Sequence, residues 1–226
     1  MASEHPAAQV LARPRLLYFA DTMCSWCYGF APEMNAVLAA LGDRVEMLLF
    51  SGGLRPFTTE PVADKMRGFF AETYARIADL SGQDFTGPRS LMPGFIYDTE
   101  PASRAVVTVR ALVPGKAYPF MLAIQRAFYS AGADITKADV LADHAETFGI
   151  ARDAFLSSFD SEEMRQATLA DFQVAQRFGI DGFPTLVLHR QDAGGKDELI
   201  LLGKGYSEAA ALIERLEAAL AGVPAA

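Results

Sequence analysis

Both cysteines of the chain stand in one tetrapeptide, Cys24-Ser25-Trp26-Cys27, at the seam between two different hydrophobic patterns. Before it runs Leu16-Leu17-Tyr18-Phe19-Ala20, short, apolar and aromatic, the composition of a buried strand. After it, Phe30, Met34, Val37, Leu38 and Leu41 recur at three- and four-residue steps, and Gly42 is placed to stop the helix they describe. Cys24 therefore belongs where a strand runs out and a helix begins. Unpaired backbone N–H groups and the positive end of the helix dipole favour an anion there, and a thiolate is one. Cys27, one helical turn further on, is within reach of a mixed disulfide formed at Cys24, which is the geometry of two-electron thiol–disulfide exchange.

The same tetrapeptide has two other uses. Half of a zinc site is one, but tetrahedral zinc needs four ligands. The chain offers no third cysteine, and His5, His144 and His189 stand at no finger-like spacing. No metal is expected. A structural disulfide is the other, but so short a loop constrains the unfolded chain little. The net charge of −8 argues against nucleic acid or an anionic membrane as partner. No apolar run is long enough to span a bilayer. The stretch Met1–Pro14 carries Glu4 before any basic residue and has no apolar core of a secretory signal. The expected compartment is the cytoplasm, where a C-x-x-C is more often catalytic than structural.

Further along, Val45–Phe50 reads as a second strand, so strand, helix and strand make a right-handed βαβ unit. From Pro61 to about Gly179 nearly everything has helical period. Pro61 suits a first helical turn of a segment reaching Leu80. Further helices fit Pro101–Val113, Ala117–Ser130, a segment capped by Thr136 and ended by Gly149, and segments starting at Asp153 or Ser161. Pro184–Leu188 and Glu198–Leu202 then form an antiparallel hairpin, and a helix capped near Ser207 closes the chain. The pattern is an α/β fold: one mixed sheet, βαβ–ββα, with an all-helical insertion. The sheet part spans residues 12–57 and 180–222 and the helical domain 58–179, a size at which a domain has its own core.

This order, with the cysteines opening the first helix, resembles thioredoxin, and the long insertion narrows the resemblance to the DsbA-like thiol–disulfide oxidoreductases. Relatives on that fold include kappa-class glutathione transferases and 2-hydroxychromene-2-carboxylate isomerases. Three motifs carry the likeness over about Leu16–Ala221: the C-x-x-C; Pro32 inside the first helix, which removes the N–H that would bond the Tyr28 carbonyl; and Gly182-Phe183-Pro184-Thr185 before the third strand. The resemblance implies a cis Phe183–Pro184 bond facing the cysteines and a free strand edge for an extended substrate. It also implies roles: Cys24 attacks, Cys27 resolves, and Trp26, Phe183 and Pro184 form the substrate platform. Protein or peptide thiols and disulfides are the implied substrates. No cofactor is expected beyond the cysteine pair, with glutathione as a candidate reductant.

Two departures from the family pattern matter. Thioredoxins carry a buried acid six residues before the first cysteine, and here that position is Tyr18. Asp21, three residues before Cys24, or water is left to take the Cys27 proton. Ser25-Trp26 adds no positive charge beside Cys24. Among other residues, His144 falls on the apolar side of its helix and reads as structural. Met92, Phe95, Ile96 and Tyr97 make an apolar loop that either covers the site or is plain core. The alternatives are a glutathione-dependent transferase or isomerase, against which Cys27 argues, and a chaperone-like peptide-binding module.

Overall fold

The computed structural model describes residues 13–192 and 194–221. The reading of the N-terminal stretch as no secretory signal, the outer domain limits at 12 and 222 and the tail Gly222–Ala226 lie wholly or largely outside the described residues.

The sheet has the order β2-β1-β3-β4. β1 (Arg15–Ala20) runs parallel to β2 (Glu46–Ser51) and antiparallel to β3 (Thr185–Gln191), which pairs antiparallel with β4 (Asp197–Lys204). The unbroken apolar run of β1 has a physical reason, because both faces of the strand are covered. Leu16, Tyr18 and Ala20 turn toward the core under α1 (Ser25–Leu41). Leu17 and Phe19 turn the other way, with Val187, onto Ala175 of α7 (Glu162–Arg177). α8 (Ala209–Leu220) lies beside α1 and packs on β4. Between β2 and β3 stand α2 (Asp64–Ser81), α3 (Glu100–Leu112), α4 (Ala117–Tyr129), α5 (Ala138–Glu146), α6 (Arg152–Phe159) and α7. None of the helices among the described residues is long and apolar enough to cross a membrane.

Three helix starts differ from the sequence expectation. Pro61 does not open α2. It bridges to Ile96, and Val62 N–H donates to the Phe95 carbonyl at 2.9 Å, which holds the segment extended until Asp64. Thr136 does not cap α5, because its hydroxyl donates to Asp134 Oδ1 at 2.6 Å and the helix begins at Ala138. The Ala209 N–H at the start of α8 donates to Glu33 Oε2 of α1 at 2.6 Å instead of to Ser207. Ser161 does cap α7, accepting from Met164 N–H at 3.2 Å.

Two polar ties fix the helices to the sheet and to α1. Pro32 lies inside α1 and has no N–H for Tyr28, so the Tyr28 carbonyl accepts from Gln83 Nε2 at 2.9 Å, just beyond α2. At the sheet edge, Asp171 of α7 accepts from Ser51 N–H at 2.9 Å and from the two terminal guanidinium nitrogens of Arg110 on α3, each at 2.9 Å. Arg110 also donates to the Leu49 carbonyl at 2.7 Å. Two backbone groups of β2, the Ser51 N–H and the Leu49 carbonyl, are thus bonded by side chains of the inserted helices.

Candidate active site

β1 ends at Ala20 and α1 begins at Ser25, so the turn Asp21–Cys24 connects them. Cys24 is the N-cap residue of α1 in extended conformation, with its N–H donating to the Asp21 carbonyl at 3.1 Å. Both cysteines are free thiols. Cys24 keeps 6% of its surface accessible and Cys27 none, so one sulfur faces the mouth of the site and the other its floor.

Facing them is the turn before β3. The Phe183–Pro184 peptide bond is cis, and Cys24 Sγ–H donates to the Phe183 carbonyl, 3.6 Å away. The Phe183 ring lies against Gly52, after β2, where a Cβ would stand 2.2 Å from the ring; a side chain there would displace the ring. Half-buried Trp26 packs its indole edge on Tyr206, with ring centroids 6.4 Å apart, and carries the Arg76 guanidinium 4.9 Å above its face. Of the expected platform, Phe183 therefore meets Cys24 directly through its carbonyl, with Pro184 joined to it by the cis bond, while Trp26 stands at the rim under a cation of α2.

Asp21 is fully buried. Its Oδ1 accepts from Met23 N–H at 2.9 Å and its Oδ2 from Leu54 N–H at 2.8 Å. Burial pushes its carboxyl up to about 6, against the opposing pull of these N–H groups, the Thr99 hydroxyl and the Gly53 N–H. Burial also pushes the Cys27 thiol up; the hydrogen bond and charge of Cys24 add to the rise, and the Asp21 charge adds a little. Tyr18, at the position where thioredoxins carry an acid, is fully buried under α1, and burial pushes its phenol well up. It cannot take a proton from Cys27 in that position at neutral pH.

The sequence reading missed the clamp that holds the cysteine turn. The hydroxyls of Tyr97 and of Tyr129 on α4 both donate to the Met23 carbonyl, and Gln125 Nε2 donates to the Asp21 carbonyl at 3.5 Å. Tyr97 and Phe95 are buried, whereas Met92 and Ile96 of the same loop are exposed, so the loop is divided between core and surface. Thr99 Oγ1 and Asp98 Oδ1 accept from Arg55 and Phe57 N–H, at 3.0 and 2.8 Å, and so pin the loop that covers Asp21. The signal for these roles was weak, since a tyrosine at helical spacing reads as core whether or not its hydroxyl has a task. His144 is half-buried on α5 and takes no part in the site as described. Among the described residues no group of three or more His, Cys, Asp or Glu is placed to hold a metal ion.

The chain matches the family model described as DSBA-like thioredoxin domain over residues 15–206. Among solved structures it is similar to a candidate protein disulfide isomerase from Nitrosomonas europaea, at 36% identity and a TM-score of 0.85, covering 94% of this chain and 100% of that one. It is also similar to the cytosolic disulfide reductase DsbM from Pseudomonas aeruginosa, at 28% identity and a TM-score of 0.71, covering 91% of this chain and 98% of that one. DsbM has also been solved with GSH. Among curated proteins it matches the ClpXP adapter protein SpxH of Shouchella clausii (strain KSM-K16), at 21% identity over 182 residues, 80% of this chain. The chain spans 60% of the length of that relative.

Proposed function

Because the chain belongs to the DSBA-like thioredoxin-domain family, we propose that it is a protein-disulfide oxidoreductase working through Cys24 and Cys27. The observation that carries this reading is the meeting of an N-cap thiol, a second thiol one turn behind it and the Phe183 carbonyl 3.6 Å from the first. In the reductive direction, the Cys24 thiolate attacks a substrate disulfide. A Cys24–substrate disulfide forms and the first substrate sulfur leaves as a thiolate. Cys27 gives up its proton and attacks Cys24 Sγ. The Cys24–Cys27 disulfide forms, and the second substrate sulfur leaves with the electron pair and takes up a proton. The substrate gains two electrons and the enzyme loses two. Two thiols, such as two molecules of glutathione, restore the pair. The oxidative direction runs the same steps backwards, and the isomerase direction uses the first step and its reversal.

Asp21 is the proton acceptor for Cys27 in this reading. Its charge acts on Cys27, and a carboxyl near 6 is ionised at neutral pH yet close enough to it to exchange protons rapidly. Phe183 and Pro184 present the substrate platform, with Trp26 at its rim. Peptide and protein thiols are the substrate class, glutathione is the recycling thiol, and the cytoplasm is the compartment, as for the cytosolic disulfide reductase it resembles. The test is reduction of insulin with glutathione as reductant. Cys24→Ser is expected to abolish turnover, and Cys27→Ser to accumulate a protein–substrate mixed disulfide visible by mass spectrometry. Full turnover by Cys24→Ser would end this reading.

A further inference from the structure

Tyr18 holds a hydroxyl that the fold does not use. The side chain is fully buried, and its Oη has no hydrogen-bond partner among the described residues. A phenylalanine would fill the same space without leaving a buried polar atom unpaired. The hydroxyl has a definite neighbourhood. Alternation along β1 turns Tyr18 toward α1, where Cys27, Phe30 and Met34 form one fully buried stripe. The Tyr18 ring packs on Phe30, with centroids 6.2 Å apart, and Cys27 is the next residue of that stripe toward the start of the helix. On its other side Tyr18 meets Tyr118 of α4, at 6.1 Å, but the Tyr118 hydroxyl is engaged, donating to Asn35 Oδ1 at 3.0 Å. Of the ionisable groups around Tyr18, Cys27 acts on it most strongly, ahead of Tyr118 and Cys24.

We propose that the Tyr18 hydroxyl is a hydrogen-bond donor for the Cys27 thiolate that forms while a mixed disulfide on Cys24 is being resolved. The proposal rests on the exchange reading above and deepens it. Tyr18 transfers no proton. Cys27 loses its proton to Asp21, and the new charge on Cys27 Sγ draws on an O–H that is buried and unpaired on the face of β1 turned toward α1, and that makes no hydrogen bond to Cys27 while it is a thiol. A donor already held in a dry site has no water to shed when charge appears, so only a local shift separates it from the developing anion. The groups facing Cys27 are Cys24 on its own helix, Asp21 in the preceding turn and Tyr18 on β1. Only Tyr18 brings an uncommitted hydroxyl. Tyr18 is thus a positioning and stabilising residue for the resolving thiol, not for the attacking one.

The test separates the two sulfurs. Reduced protein mixed with Ellman's reagent releases one coloured thiolate when Cys24 attacks and a second when Cys27 resolves. In Tyr18→Phe the first phase is expected unchanged. The second should slow roughly ten- to hundredfold at neutral pH, the range for losing a hydrogen bond to an ion. In a Cys24→Ser background, the thiolate absorbance of Cys27 should titrate at higher pH in the Tyr18→Phe protein than in its parent. Equal second phases and equal Cys27 titrations would overturn the role of Tyr18 while leaving the exchange reading intact. Equal slowing of both phases would also overturn it, by making Tyr18 a packing residue. A wild-type protein lacking any second phase would instead end the exchange reading, and the Tyr18 proposal with it.

Discussion

Removing the charge of Asp21 should alter how stability depends on pH, in a direction and by an amount that follow from its surroundings. Burial raises its carboxyl from 3.8 to about 6. At 1.36 kcal/mol for each pKa unit, that rise of about two units is about 3 kcal/mol of preference for the protonated form in the folded state. The folded pKa lies above the unfolded one. The contribution is therefore fully present below about pH 4 and is lost as pH rises through about 6. Asp21→Asn has no such term. The variant keeps an acceptor for the Met23 N–H but turns an amide N–H₂ toward the Leu54 N–H. That mismatch costs roughly 1–3 kcal/mol at every pH. The informative quantity is thus the pH dependence of the difference. Urea unfolding of reduced wild type and variant at pH 3.5, 5, 6 and 7.5 should show the variant gaining about 3 kcal/mol relative to wild type over that range, with most of the change between pH 4 and 6. A constant difference, or one that moves the other way, would refute the claim that the Asp21 charge is held against its solvation.

Iodoacetamide should modify Cys24 well before Cys27 in the reduced protein, because only Cys24 retains accessible surface; peptide mapping after brief labelling reads the order, and Cys27 reacting first would reverse the assigned roles. Gly52→Ala should push the Phe183 ring from its seat, since the new Cβ would lie 2.2 Å from it, and lower the insulin-reduction rate with about 1–3 kcal/mol of lost stability; an unchanged rate would show that the Phe183 turn need not be held there. Arg110→Met should cost about 3–5 kcal/mol, because it leaves buried Asp171 charged with Ser51 N–H as a remaining partner, and chemical denaturation measures it; a loss under 1 kcal/mol would mean that the bridge does not secure α3 and α7 to β2.

The parts of this site that were legible in the sequence are those that local chemistry dictates. Cys24 and Cys27 share one helical turn, so their relation follows from helix pitch alone, and the observed α1 begins one residue after Cys24. The strand and helix order was legible for the same reason, since each element carries its own period. What escaped were partners far apart along the chain. Thr136, Ser207 and Pro61 have the right residue types for helix starts, but Asp134, Glu33 and Phe95 supply competing or better hydrogen bonds. Asp171 and Arg110 sit on helices whose periods say nothing of β2. Asp21 was legible as a candidate by its nearness to Cys24, but its full burial comes from the loop at Leu54, which only the fold brings over it.

The central place of β1 has a consequence for how the protein is made. Leu16 pairs with Leu188 and Phe19 with Thr185, so one flank of the strand that carries the cysteine turn stays open until β3 has left the ribosome. At roughly 5–20 residues per second, the stretch from Gly52 to Pro184 takes roughly 7–27 s to synthesise. During that interval the turn carrying Cys24 and Cys27 has been made, while the Phe183 carbonyl that will face Cys24 does not yet exist. For most of that interval α7, which will cover Leu17 and Phe19, has not been made either. The thiol pair is translated before the strand and helix that enclose it, so the nascent chain meets the redox conditions of its surroundings before it can act on them.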